Sequence, residues 1–150
     1  MRPLVPGVFT SMFDGLIVKE RAASRLVITQ LAQAIQKQAH INASNGSHKR
    51  GTPTPARPGE GPAVITGTLR KSITYESPEA TVTGWKTRVG TGVGFMPPGG
   101  KTPASKYGKY LETGLKNGTK YPWLLPAARF AMGTPALLIY RKIYGPAFRW

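Results

Sequence analysis

Lys19-Glu-Arg-Ala-Ala-Ser-Arg-Leu-Val-Ile-Thr-Gln-Leu-Ala-Gln-Ala-Ile-Gln-Lys-Gln-Ala-His40 runs for six turns without a glycine or proline. Ala23, Val27, Leu31, Ala34 and Ile35 recur at helical spacing, widened by Leu26 and Ile28. Gln30, Gln33, Gln36 and Lys37 fall outside the centre of that stripe. The pattern predicts a long amphipathic helix with one face to bury. Asn42 to Gly46 supplies turn formers that end it. Upstream, Phe9, Met12, Phe13, Leu16 and Ile17 also follow helical spacing. Residues 1–18 are therefore expected either to form a short helix or to serve as an N-terminal arm docking on a neighbour.

Downstream the period changes. Residues 41–62 carry Asn42-Ala-Ser-Asn-Gly46 and prolines at 53, 55, 58 and 62, with Lys49, Arg50 and Arg57 against Glu60. A connection of that length without helix or strand pattern is unusual within one domain, so a flexible, basic, extended arm is expected. Thr66-Gly67 reads as a turn. Leu69, Ile73 and Tyr75 then alternate with polar residues, predicting a strand over 69–76. Thr81 to Gly90 predicts a second strand, with Ser77-Pro-Glu-Ala80 as the hairpin turn. Ser105 is placed to cap a short helix over 106–113, stopped by Gly114. A last helix is expected over 125–132 with Pro126 in its first turn, resuming over 136–144 after Gly133 and Pro135. The sum is one α+β domain over 1–150: a long N-terminal helix on a small antiparallel sheet, a shorter C-terminal helix, and a Pro/Gly-rich arm.

Composition narrows function. There are 21 Lys+Arg against 6 Asp+Glu, a net charge of +15, spread along the chain. Such a surface attracts polyanions at several points, whether nucleic acid or an acidic protein. The chain has no cysteine, which excludes disulfides and thiolate metal sites. The Met1-Arg-Pro-Leu-Val-Pro-Gly7 start is unlike a signal peptide, and the Pro135–Tyr140 run is far shorter than the ~20 residues of a membrane span, so a soluble protein with no membrane partner is expected.

Catalysis has little basis. The acids Asp14, Glu20, Glu60, Glu76, Glu79 and Glu112 are scattered, and the chain lacks a Gly-x-Ser-x-Gly elbow. His40 and His48, in a polar loop, lack the partners that a metal site needs. Gly90-Thr-Gly-Val-Gly94 and Gly94 to Thr102 mimic phosphate loops, but Gly100 stands where the lysine belongs, and prolines at 97, 98 and 103 obstruct the amide cradle. Asn42-Ala-Ser, Asn45-Gly-Ser and Asn117-Gly-Thr match the glycosylation acceptor but, with no secretory signal expected, read as polar loops. No enzyme, cofactor or metal is expected. Cations interleave with aromatics at Trp85-Lys-Thr-Arg88, Lys106-Tyr-Gly-Lys-Tyr110, Lys120-Tyr-Pro-Trp123 and Tyr140-Arg-Lys-Ile-Tyr144. Such pairs either stack and bind nucleic acid or place the aromatic in the core beside a snorkelling cation.

Three blocks occur in order: Pro58-Gly-Glu-Gly-Pro-Ala-Val-Ile-Thr-Gly-Thr-Leu-Arg-Lys-Ser-Ile73, Tyr107-Gly-Lys-Tyr-Leu-Glu-Thr-Gly114 and Pro122-Trp-Leu-Leu-Pro-Ala-Ala-Arg129. Together they resemble the head–tail joining, or tail completion, neck proteins of long-tailed bacteriophages. The resemblance spans about Pro58 to Arg129. It departs after Glu112-Thr-Gly-Leu, where Lys116-Asn-Gly-Thr119 is inserted. It implies a virion structural subunit, assembled in the host cytoplasm into a homo-oligomeric ring in the neck or at the top of the tail. Its partners would be other connector and tail proteins, with genomic double-stranded DNA in the lumen. Leu69, Arg70, Tyr107, Tyr110, Glu112, Pro122 and Trp123 are then the expected interface or assembly residues. Lys49, Arg50, Arg57 and Lys71 are the expected contacts to DNA or an acidic partner. A stand-alone basic nucleic-acid-binding protein is the alternative.

Overall fold

A computed structural model describes residues 6–46, 56–62, 64 and 66–147, with side chains from Gly15 to Pro146. Helix α1 runs from Pro6 to Asn42, 37 residues, or about 55 Å at 1.5 Å per residue. Residues 6–18 are thus the first turns of α1, part of one long helix and not a separate short one. His40 lies in the helix's last turn, half-buried, not in a loop. After the connection come α2 (Thr68–Ser72), β1 (Ile73–Tyr75), β2 (Glu79–Thr81), β3 (Gly84–Lys86) and β4 (Val89–Thr91). Helices α3 (Ala104–Thr113), α4 (Leu124–Ala131) and α5 (Thr134–Ala147) complete the described chain. The fold is α+β, with α1 packed on a small antiparallel sheet and against the C-terminal helices.

The strand expected over 69–76 is shorter and begins later. Leu69 and Ile73 are four apart, a spacing that serves a helix as well as a strand. Gly67 takes φ 74°, and the Lys71 N–H donates to its carbonyl at 3.0 Å, winding one helical turn. Ser72 closes the turn, its Oγ donating to Leu69 O at 2.7 Å. Both apolar side chains still face inward. The hairpin is also re-divided. β1 pairs with β4, Ile73 opposite Thr91 and Tyr75 opposite Val89, while β2 pairs with β3. Pro78 has no N–H to give and sits where the ladder breaks; the chain reverses at Val82-Thr83, not at 77–80.

The centre of the buried α1 face is alanine. Ala32 and Ala39 are buried there, with Ala43 just past the helix end, while Ala23 is buried on the other side; α4 sets Ala127 and Ala131 against the same helix. Small side chains let these helices approach closely. Around that contact, Leu69, Ile73 and Trp123 form the core, flanked by Ile35, Tyr107, Leu111 and Leu124. The core is small: no described residue larger than serine is fully buried.

The glutamines outside the apolar stripe bind the sheet. Gln36 Nε2 donates to Ile73 O at 3.0 Å, and Gln33 Nε2 to Tyr75 Oη at 3.1 Å. Trp85 fixes the outer hairpin, its indole N–H donating to Arg21 O at 3.1 Å while the Arg25 guanidinium lies 5.3 Å from the ring centre. In the connection, Ala56 and Pro62 are buried and the Gly59 N–H donates to Lys120 O at 3.0 Å. The described end of the 41–62 segment is therefore docked, contrary to a wholly loose arm. Gly61 lies against the Asn42 carbonyl, where any Cβ would collide.

Candidate functional site

The three blocks meet in one junction. Trp123 is 3% exposed, and its indole N–H donates to Gly108 O at 3.1 Å. Gly108 admits the ring and Leu69 because it has no side chain: a Cβ there would stand 2.9 Å from Leu69 Cδ1 and 3.5 Å from Trp123 Cζ2. Leu69 comes from the first block, Gly108 from the second and Trp123 from the third.

Glu112 completes the junction. Helix α4 has no side-chain cap of its own, because Trp123 stands at its N-cap. The Glu112 carboxylate reaches across from α3 instead. Oε2 accepts the N–H groups of Trp123 and Leu124 at 2.8 and 2.9 Å, and Oε1 accepts that of Leu125 at 2.8 Å. Three donors without intrahelical partners are satisfied by one negative group at the positive end of a helix. The alternatives for Glu112, pairing with Lys106 or Lys109, are not what the geometry contains. The legible signal was compositional: Glu112 is the sole acid among residues 80–150, beside eleven Lys and Arg. From α1, Asn42 Nδ2 donates to Trp123 O at 3.0 Å, and Gln38 Nε2 to Asn42 Oδ1 at 3.1 Å.

Tyr107 is half-buried beside α2, its hydroxyl bonded to the Leu69 backbone and the Thr68 side chain. Burial pushes its pKa above the usual 10.0, against the opposing pull of those two bonds. Next to it an apolar cavity of about 370 Å³ is lined by Ala43, Ala56, Leu69, Tyr107, Leu111 and Tyr121, among others. Arg70 is half-buried at the same cavity, its Nη1 3.4 Å from Ser44 Oγ. Pro122 is half-buried. Tyr110, Arg57 and Lys71 are exposed, and Lys49 and Arg50 lie outside the described residues. Of the expected interface residues, Leu69 and Trp123 are thus core, Glu112 is a cap, and Tyr110 faces outward.

Two outward faces differ in composition. On α3, Lys106, Lys109 and Tyr110 are exposed. On α4 and α5, Leu125, Phe130, Met132, Leu137, Leu138 and Tyr140 are exposed, accompanied by Arg129, Arg141 and Lys142. Tyr140 stacks on Tyr144 with ring centres 4.6 Å apart, and the Tyr144 hydroxyl donates to Glu20 Oε1 at 3.3 Å, joining α5 to α1. On the strands, Glu79 pairs with Lys86 at 3.3 Å and Glu76 with Arg88 at 3.5 Å. Among the described residues there is no cluster of His, Asp and Glu that could hold a metal, and no helix long and apolar enough to cross a membrane. Comparison with family models, curated proteins and solved structures gives no match.

Proposed function

We propose that this chain is a structural, non-catalytic subunit of a bacteriophage head-to-tail connector, forming a ring in the neck or tail-completion region through which genomic DNA passes. The observation that carries the reading is the ordered set of three blocks resembling phage neck proteins, together with their meeting in one junction built on Leu69, Gly108, Glu112 and Trp123. Two further features support it. The core is small for the chain length, so coverage by neighbours would supply apolar burial that the subunit lacks. The α4–α5 face mixes Phe, Met, Leu, Tyr and Arg, close to the composition of protein–protein contacts. Mechanism here is assembly: apolar faces join subunits and other connector or tail proteins, while lysines and arginines meet DNA or acidic connector surfaces.

A density map of the particle neck tests this directly. Several copies of the chain arranged as a closed ring around the DNA path are expected; one copy, or none, rejects the proposal. The net charge of +15 favours a second reading, a stand-alone nucleic-acid-binding protein. A connector that lets DNA pass needs weak, sequence-independent, salt-sensitive contact. Nanomolar, sequence-selective binding of a short duplex at physiological salt would select the second reading.

A further inference from the structure

Lysines gather at both ends and along the outside of α3. Lys106 and Lys109 project from its exposed face with Tyr110; Lys101 stands on the loop that enters the helix, Lys116 and Lys120 on the loop that leaves it. All five are exposed, and among the described residues none of them forms an ion pair. The one acid of this stretch, Glu112, is turned inward onto the three N–H groups of α4, which leaves the outer surface without a compensating carboxylate. The exit loop is fixed by its own bonds: Leu115 N–H to Thr119 O at 2.9 Å, Gly118 N–H to Leu115 O at 2.9 Å, and Thr119 N–H to Asn117 Oδ1 at 3.0 Å. With α3 about 15 Å long, the lysines are spread over a length that on duplex DNA presents roughly nine backbone charges.

We infer that the outer surface of α3 and its flanking loops is a docking surface for the phosphate backbone of double-stranded DNA, engaged without base readout. Charge complementarity selects this occupant. Lysine is depleted at protein–protein contacts but suits hydrated contact with phosphate. The α4–α5 face differs in that Leu125, Phe130, Met132, Leu137 and Leu138 are exposed there among Arg129, Arg141 and Lys142. This assignment puts the main DNA contact on α3 in place of the expected Lys49, Arg50, Arg57 and Lys71, of which Arg57 and Lys71 are exposed like the α3 lysines. It rests on the connector reading only for the identity of the DNA as genomic.

The test uses the full chain and two variants that each remove three charges: K106Q/K109Q/K116Q on the α3 surface, and R57Q/K71Q/K37Q elsewhere. Anisotropy with fluorescent duplexes of two unrelated sequences is measured between about 50 and 200 mM salt. The α3 variant is expected to lower the slope of log K against log salt by up to about 2.7, and affinity at least about tenfold, equally for both sequences. The other variant should move the slope by less than about one. Unfolding midpoints matching the parent exclude a folding defect. Equal losses in the two variants, or an α3 variant that binds like the parent, would overturn the inference. So would an α3 variant that keeps DNA but loses binding to polyglutamate, which would point to an acidic protein instead. Light scattering of the same samples reports ring formation separately, so rings lost with DNA binding kept, or the reverse, assign failure to one idea or the other.

Discussion

The interior where α2, α3 and α4 meet and the outward faces of α3, α4 and α5 belong to the same helices but to different kinds of chemistry. Inside, each group has a partner fixed by geometry: the Trp123 N–H on Gly108, three backbone N–H groups on Glu112, the Tyr107 hydroxyl against α2. Outside, Lys106, Lys109, Phe130, Met132, Leu137 and Leu138 are exposed. The three ordered sequence blocks supply much of the interior. The outward lysine and apolar surfaces extend beyond them. The block residues therefore build the scaffold, while the outward surfaces are set by residues with fewer internal constraints.

Substitutions can break this contrast, and the largest effect should come from Trp123. W123A removes a buried indole and leaves Gly108 O without its donor, so a loss of about 3–5 kcal/mol is expected by urea unfolding. A loss below about 1 kcal/mol would mean that the junction is not the core. E112A should come next, at about 2–4 kcal/mol, because three α4 donors lose a charged acceptor at once. E112Q, which keeps one acceptor oxygen, should lose roughly half as much. Equal stability of E112A and the parent would remove the cap from the account.

Tyr107 sharpens the comparison through pH. Its folded-state pKa is raised above 10.0, so its contribution is full below that value and declines as pH rises towards and through the folded pKa. Y107F should cost about 1 kcal/mol at pH near 8, from the lost hydroxyl bonds, and the gap to the parent should narrow above pH about 10. A gap constant across that range would contradict the assignment. The smallest effect belongs to the outer surface. L137S/L138S should leave the unfolding free energy of the subunit within about 1 kcal/mol of the parent, because both side chains are exposed, yet reduce assembly measured by light scattering. Unfolding of this variant with the severity of W123A would erase the distinction between the two regions.

The long helix was legible from periodicity because its polar and apolar residues repeat over many turns, and local pattern suffices where tertiary structure agrees with it. The same holds for the helix that Gly114 stops and for the break at Gly133, where glycine ends what the preceding residues favour. Three features were decided only in three dimensions. Leu69 and Ile73 fit either a helical turn or a strand, and the left-handed Gly67 with its bond from Lys71 selected the turn. Pro78 read as a turn residue, but strand pairing used its missing N–H as an interruption and put the reversal at Val82-Thr83. Glu112 looked like a surface partner for lysine because a one-dimensional reading sees neighbours at three and four residues. Folding brought to it the bare N-terminus of a helix eleven residues on, and satisfying three backbone donors there binds a carboxylate more firmly than an exposed ion pair does.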